Sequence, residues 1–91
     1  MVNKTAEIGL ASKGRLRIIR ELWLAGKPLS IYMIEKKTGI RRKALVSDLN
    51  ALMSINWVKE IAGRIKKYEL NLESEEVMII VKALRDINYI E

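Results

Sequence analysis

Apolar side chains recur with helical period through most of the chain and switch to strand period once. Leu16, Ile19, Leu22 and Trp23 fall at i, i+3, i+6 and i+7, one stripe of an α-helix. Ser12 suits its N-cap, and Gly26 with Pro28 ends it. Residues 2–11 either extend this helix or form a loose arm, because Gly9 and Gly14 weaken an unbroken helix. Leu29-Ser30 is a short link with room for one strand. Ser30 can cap a second helix through Tyr32, Met33, Ile34 and Lys37, which Thr38-Gly39 stops. A third helix is predicted from about Arg41 to Ser54, with Leu45, Leu49, Leu52 and Met53 as its apolar stripe. Asn56 can take the left-handed conformation that follows a helix end.

The period then changes. Trp57 to Ile61 is β-branched and aromatic, Ala62-Gly63-Arg64 predicts a turn with Gly63 at positive φ, and Ile65 to Leu72 returns as a second strand. Tyr68, Leu70 and Leu72 alternate onto one face of it. A last helix opens at Ser74 or Glu73 and runs to about Tyr89, with Glu75 and Glu76 favourable near its N-terminus. The fold class expected is mainly α with a small β-hairpin, in one domain over residues 1–91. A fully helical bundle competes, and the hairpin signal around Gly63 argues against it.

Charge changes this picture because it is unevenly spread. The net charge is +6. Residues 1–72 hold 15 basic and 6 acidic side chains, and residues 73–91 hold 2 basic and 5 acidic. A basic body with an acidic last segment fits an anionic partner for the body, or a solvated surface that maintains solubility.

The segment from Ile34 to Leu52 places two short helices on either side of Gly39, as a helix-turn-helix requires. On the second of them Leu45, Leu49 and Leu52 point one way. Arg42, Lys43, Val46, Ser47 and Asn50 lie opposite. A helix so built fits a major groove. Arg and Lys donate to guanine, Asn pairs with adenine, Ser bonds bases or phosphates, and Val46 meets a thymine methyl. The alternative is a solvated face that happens to carry Arg41-Arg42-Lys43.

Here the sequence resembles a winged helix-turn-helix domain of the ArsR/MarR transcriptional-regulator type. Ser12 to Leu24 matches the first helix of that family. Thr38-Gly39-Ile40 followed by Ala44-Leu45-Val46-Ser47-Asp48-Leu49-Asn50-Ala51-Leu52 matches its recognition helix, and Trp57 to Leu70 matches its wing. The resemblance implies a winged helix-turn-helix over 12–72, with a recognition helix at 41–54 and a wing at 57–72. It implies double-stranded DNA as partner. Arg41, Arg42, Lys43, Val46, Ser47 and Asn50 would face the groove, and Lys59, Arg64, Lys66 and Lys67 would belong to the wing. Arg64 is placed in or beside the minor groove. Lys66 and Lys67 point to opposite faces of a strand, so at most one reaches a given phosphate. Lys13 and Arg15 are candidate backbone contacts. Arg41 departs from the Ser or Thr preferred at the helix start, which leaves Thr38 as the alternative cap. Asp48 departs too: it could accept from cytosine, pair with a neighbouring Lys or Arg, or repel phosphate.

The last helix, within 73–91, is apolar around much of its circumference. Val77, Ile80, Val81, Leu84 and Ile87 could cover the domain, leaving Met78 and Ile79 over. A homodimer through this helix is expected, with Val77, Met78, Ile79, Val81 and Leu84 at its interface. The alternative is that residues 1–11 fold back over it.

The chain has no cysteine and no histidine, so disulfides, thiolate or imidazole catalysis and the usual zinc sites are excluded. No acid/base pair or Gly-rich phosphate loop is present, so an enzyme is not expected, and no cofactor or metal. No run reaches the roughly 18 apolar residues of a membrane span. Met1 to Leu10 lacks the apolar core of a signal peptide. A cytoplasmic, nucleoid-associated regulator is expected, or a less selective chromatin-like protein, or a protein-interaction module on the same scaffold. The absence of glutamine and the wealth of Ile, Lys, Arg and Glu fit a thermophile, with an archaeal source expected.

Overall fold

The computed structural model describes residues 3–90. Along them run α1 (Lys4–Gly9), α2 (Lys13–Ala25), β1 (Leu29–Ser30), α3 (Ile31–Thr38), α4 (Arg42–Ser54), β2 (Val58–Ile61), β3 (Lys67–Leu70) and α5 (Glu75–Asp86). Three serines set helix starts by the same chemistry. The hydroxyls of Ser12, Ser30 and Ser74 accept from the backbone N–H of Arg15, Met33 and Val77, amides that have no partner within their helices. Gly26 and Gly39 end α2 and α3 in the left-handed conformation, at φ 64° and 72°. Asn56 adopts it after α4, at φ 62°.

The strands form one antiparallel sheet in the order β1-β3-β2. Val58 lies opposite Leu70 and Ile61 opposite Lys67, while Leu29 pairs with Tyr68 and Ser30 with Lys67. The short link before α3 is therefore a strand, and it holds the hairpin against the helices.

Two hairpin details differ from expectation. Residues 62–66 form a loop between the paired Ile61 and Lys67, and Gly63 is not at positive φ. A loop of this length spreads the reversal, so no single residue needs the left-handed region. Leu72 does not extend the inward face and is 55% exposed. The chain turns at Asn71, whose N–H donates to the Trp57 carbonyl and whose Oδ1 accepts from the N–H of Glu73.

The core draws Ile18, Ile19 and Leu22 from α2, Ile34 from α3, Leu45, Leu49 and Leu52 from α4, and Val77 and Val81 from α5. Val58, Tyr68 and Leu70 close it from the sheet. Thr38 is buried there, its hydroxyl donating to the Ile34 carbonyl at 2.7 Å.

Residues 4–9 neither extend α2 nor form an arm; residue 2 lies outside the described residues. They make a separate helix, α1, packed on α4. Gly9 makes this possible, because a Cβ there would sit 2.0 Å from a carbon of the buried Trp57 ring. The Trp57 Nε1–H donates to Glu76 Oε1 at 3.0 Å, and Asn3 Nδ2 donates to Glu76 Oε2 at 3.2 Å. One carboxylate thus joins the cap of α1, the entry to β2 and the first turn of α5.

The last helix is shorter than expected, ending at Asp86. Asn88 turns left-handed at φ 64°, and the N–H groups of Tyr89 and Ile90 both donate back to the Leu84 carbonyl. Ile90 is thereby buried, while Ile87, expected to cover the domain, is exposed. The Tyr89 ring packs 4.7 Å from the Arg20 guanidinium carbon.

Candidate nucleic-acid interface

The turn between α3 and α4 is braced from inside. Thr38 Oγ1, besides donating to Ile34, accepts from the Ile40 N–H at 3.2 Å, and Gly39 supplies the left-handed step. Thr38 therefore stabilises the turn and does not cap α4. Arg41 occupies the N-cap with no side-chain hydrogen bond to the helix. Its own side chain is left to solvent.

Along α4, burial of Leu45, Leu49 and Leu52 forces Arg42, Lys43, Val46, Ser47 and Asn50 outward, and all five are exposed. The structure thus brings together the helix residues expected from the sequence. Arg42 is not unpartnered: its Nη2 donates to Glu35 Oε1 of α3 at 3.0 Å. Arg41 and Lys43 form no salt bridge among the described residues.

Asp48 resolves in favour of pairing. Its Oδ1 accepts from Arg15 Nε at 3.0 Å, with both side chains largely buried. The Arg15 guanidinium also donates to the Ile8 carbonyl. Gly14 leaves room for this, since a Cβ there would lie 2.6 Å from Asp48 Oδ2. Arg15, expected as a backbone contact, instead ties α1 and α2 to α4. Lys13, beside it, is exposed.

The wing cations divide into two groups. Arg64 and Lys66 stand in the 62–66 loop and Lys67 at its edge, exposed and without salt bridges among the described residues. Lys59 sits at the other end of the hairpin, opposite Glu69, with its Nζ 3.5 Å from Glu73. Acidic neighbours surround it, so it does not belong with the cationic tip. α3 also turns cationic and aromatic residues outward. Tyr32, Lys36 and Lys37 are exposed there, with Lys36 Nζ 5.4 Å from the Tyr32 ring centre. Their spacing opposite Ile34 and Thr38 was the available signal.

On α5, Val77 and Val81 are buried in the protomer's own core and do not reach outward; Leu84 is half-buried against it. Met78 and Ile79 are exposed, Ile79 at 66%. The described part of the N-terminal segment does not cover them.

Three helices, a tight turn between α3 and α4, and a hairpin whose returning strand pairs with the strand before α3 define a winged helix-turn-helix fold. Solved structures share it. The chain matches NolR from Sinorhizobium fredii with a TM-score of 0.76 at 25% identity, covering 97% of this chain and 91% of that one. It matches the transcriptional repressor BigR from Xylella fastidiosa with a TM-score of 0.75 at 23% identity, covering 93% and 86%. A homodimeric winged helix-turn-helix DNA-binding domain from Mycobacterium bovis, a possible ArsR-family regulator, matches with a TM-score of 0.74 at 21% identity, covering 93% and 76%. No protein-family model matches the sequence, and no curated protein matches it. Among the described residues no helix is long and apolar enough to cross a membrane, and no group of acidic residues is placed to hold a metal ion.

Proposed function

We propose that this chain binds double-stranded DNA as a transcriptional regulator, with α4 in the major groove and the wing against the backbone or minor groove. The observation that carries the reading is the outer face of α4. Its cationic and hydrogen-bonding residues are turned out together, while the one acid on that helix is neutralised from below by Arg15. The names of the structural neighbours support the same reading: BigR is called a transcriptional repressor and the Mycobacterium bovis domain a DNA-binding one. Neither is described as an enzyme.

A homodimer through α5 completes the proposal. Met78 and Ile79 would meet a second copy, and the Mycobacterium bovis domain is homodimeric. Two copies of α4 on a two-fold axis would address half-sites about one helical turn apart. Such a protein would act in the cytoplasm on nucleoid DNA, and its composition fits a thermophile.

Fluorescence anisotropy on a labelled duplex at two salt concentrations tests this. Binding should weaken steeply with salt, and each phosphate contact removed should make the negative slope of log K against log salt shallower by about 0.9. Replacing Arg41, Arg42 and Lys43 with Ala together should abolish most of the affinity. Undetectable binding of the unaltered protein at low salt, or an unchanged affinity of the triple variant, would overturn the proposal.

A further inference from the structure

The wing carries an apolar side chain where only cations would be needed for backbone contact. Ile65 lies in the 62–66 loop and is 65% exposed. Ile61, at the end of β2, is half-buried, so the two isoleucines of the hairpin are treated differently by the fold. Ile65 borders an open hollow of about 350 Å³ between the loop and the strand ends, so it stands beside solvent. No acidic residue occurs between Glu60 and Glu69, and Arg64, Lys66 and Lys67 flank the isoleucine.

One apolar side chain bracketed by cations that form no salt bridge among the described residues suits a groove with phosphate edges and an apolar stacking interface between its base pairs. The minor groove of duplex DNA offers both: phosphates line its edges, and behind a floor of hydrogen-bond acceptors lie the apolar faces of the stacked bases. Resting on the DNA-binding reading, we propose that Ile65 enters the minor groove as a wedge, partly unstacks a base step and bends the duplex away from the wing. Arg64, Lys66 and Lys67 supply attraction to the phosphates, and Ile65 supplies the deformation. Apolar wedges of this kind bend DNA by about 20–90°. Pyrimidine–purine steps such as TA unstack most readily, so the wing would favour them without a hydrogen bond to any base edge.

The test uses the full chain and two end-labelled duplexes of equal length, one with a central TA step and one without. Energy transfer between the ends reports bending, 2-aminopurine fluorescence beside the central step reports unstacking, and anisotropy reports affinity. The unaltered protein should raise both energy transfer and 2-aminopurine emission on the TA duplex. Ile65→Ala should lose both signals while still binding, and Ile65→Leu should keep them. Ile65→Lys should bind more tightly yet fail to bend, which separates the wedge from the charge. All these variants alter an exposed loop residue and leave the core intact. Equal bending by Ile65→Ala, or binding by the unaltered protein with no bend, would overturn the wedge while leaving DNA binding standing. Failure of the unaltered protein to bind either duplex at low salt would overturn both.

Discussion

Arg15 Nε and Asp48 Oδ1 lie 3.0 Å apart, joining the start of α2 to the middle of α4. Their side chains are only 19% and 15% exposed, so this pair is shielded from solvent more than an ordinary surface bridge. It holds the proposed reading helix against α2 and removes a negative charge from the groove side. Asp48→Ala should lower stability by about 1–3 kcal/mol in urea unfolding, because Arg15 is left underpartnered. A loss within about 0.5 kcal/mol, the range of an ordinary surface change, would contradict this.

Gly14 stands against the same carboxylate. Ala favours a helix over Gly by about 1 kcal/mol. Yet a Cβ at this position meets Asp48 Oδ2 at 2.6 Å and must push the carboxylate off Arg15. Gly14→Ala should therefore destabilise the unaltered protein and stabilise the Asp48→Ala variant. The same sign in both backgrounds would show that the close approach does not matter.

The contact of Gly9 with Trp57 is less forgiving. The nearest atoms are carbons of a buried indole ring, which is also held by Glu76. Gly9→Ala should cost about 1–3 kcal/mol, as overpacking does, and should lift α1 from α4. Hydrogen exchange at Glu7 and Leu10, whose amides close the turns of α1, would accelerate first.

On the proposed reading, Glu35 would compete with a phosphate for Arg42, which it holds at 3.0 Å. The pair is exposed enough for its net strength to be small, on the order of 0.5 kcal/mol. Glu35→Gln should raise affinity for a random duplex by roughly twofold at low salt, with no change at high salt. A fall in affinity would mean that Glu35 orients Arg42 toward DNA instead of withholding it.

Ile79 tests the proposed dimer. Its exposure means that Ile79→Glu should leave the unfolding free energy of a protomer within about 0.5 kcal/mol. The variant should run as a monomer in analytical ultracentrifugation where the unaltered chain runs as a dimer. A monomeric unaltered chain, or a dimeric variant, would remove α5 from the assembly.

Most of the element order was legible because local signals agreed with the tertiary structure. Ser12 and Ser30 start helices, Gly26 and Gly39 end them, and Leu45, Leu49 and Leu52 face inward as their spacing requires. The outward set on α4 followed from the same periodicity. What the sequence hid depends on contacts distant along the chain. Gly9 and Gly14 read as helix-weakening residues, and only the indole of Trp57 and the carboxylate of Asp48 show why no side chain fits. Arg15 and Lys59 read as available cations until Asp48 and Glu73 arrive beside them. Ile87 matched the helical stripe, but the helix had ended, and the left-handed Asn88 delivers Ile90 to the core instead. Periodicity cannot report the place where it stops applying.

Ser30 pairs with Lys67 in the sheet and caps α3 with its hydroxyl. The sheet that holds the hairpin therefore runs through β1 into the start of α3 with no intervening linker. On the proposed reading the molecule is a caliper whose jaws are fixed where β1 pairs with β3 and runs into α3. The duplex has to come to that opening. Two sites with identical base edges would then be told apart by how readily each can be deformed to fit the gap.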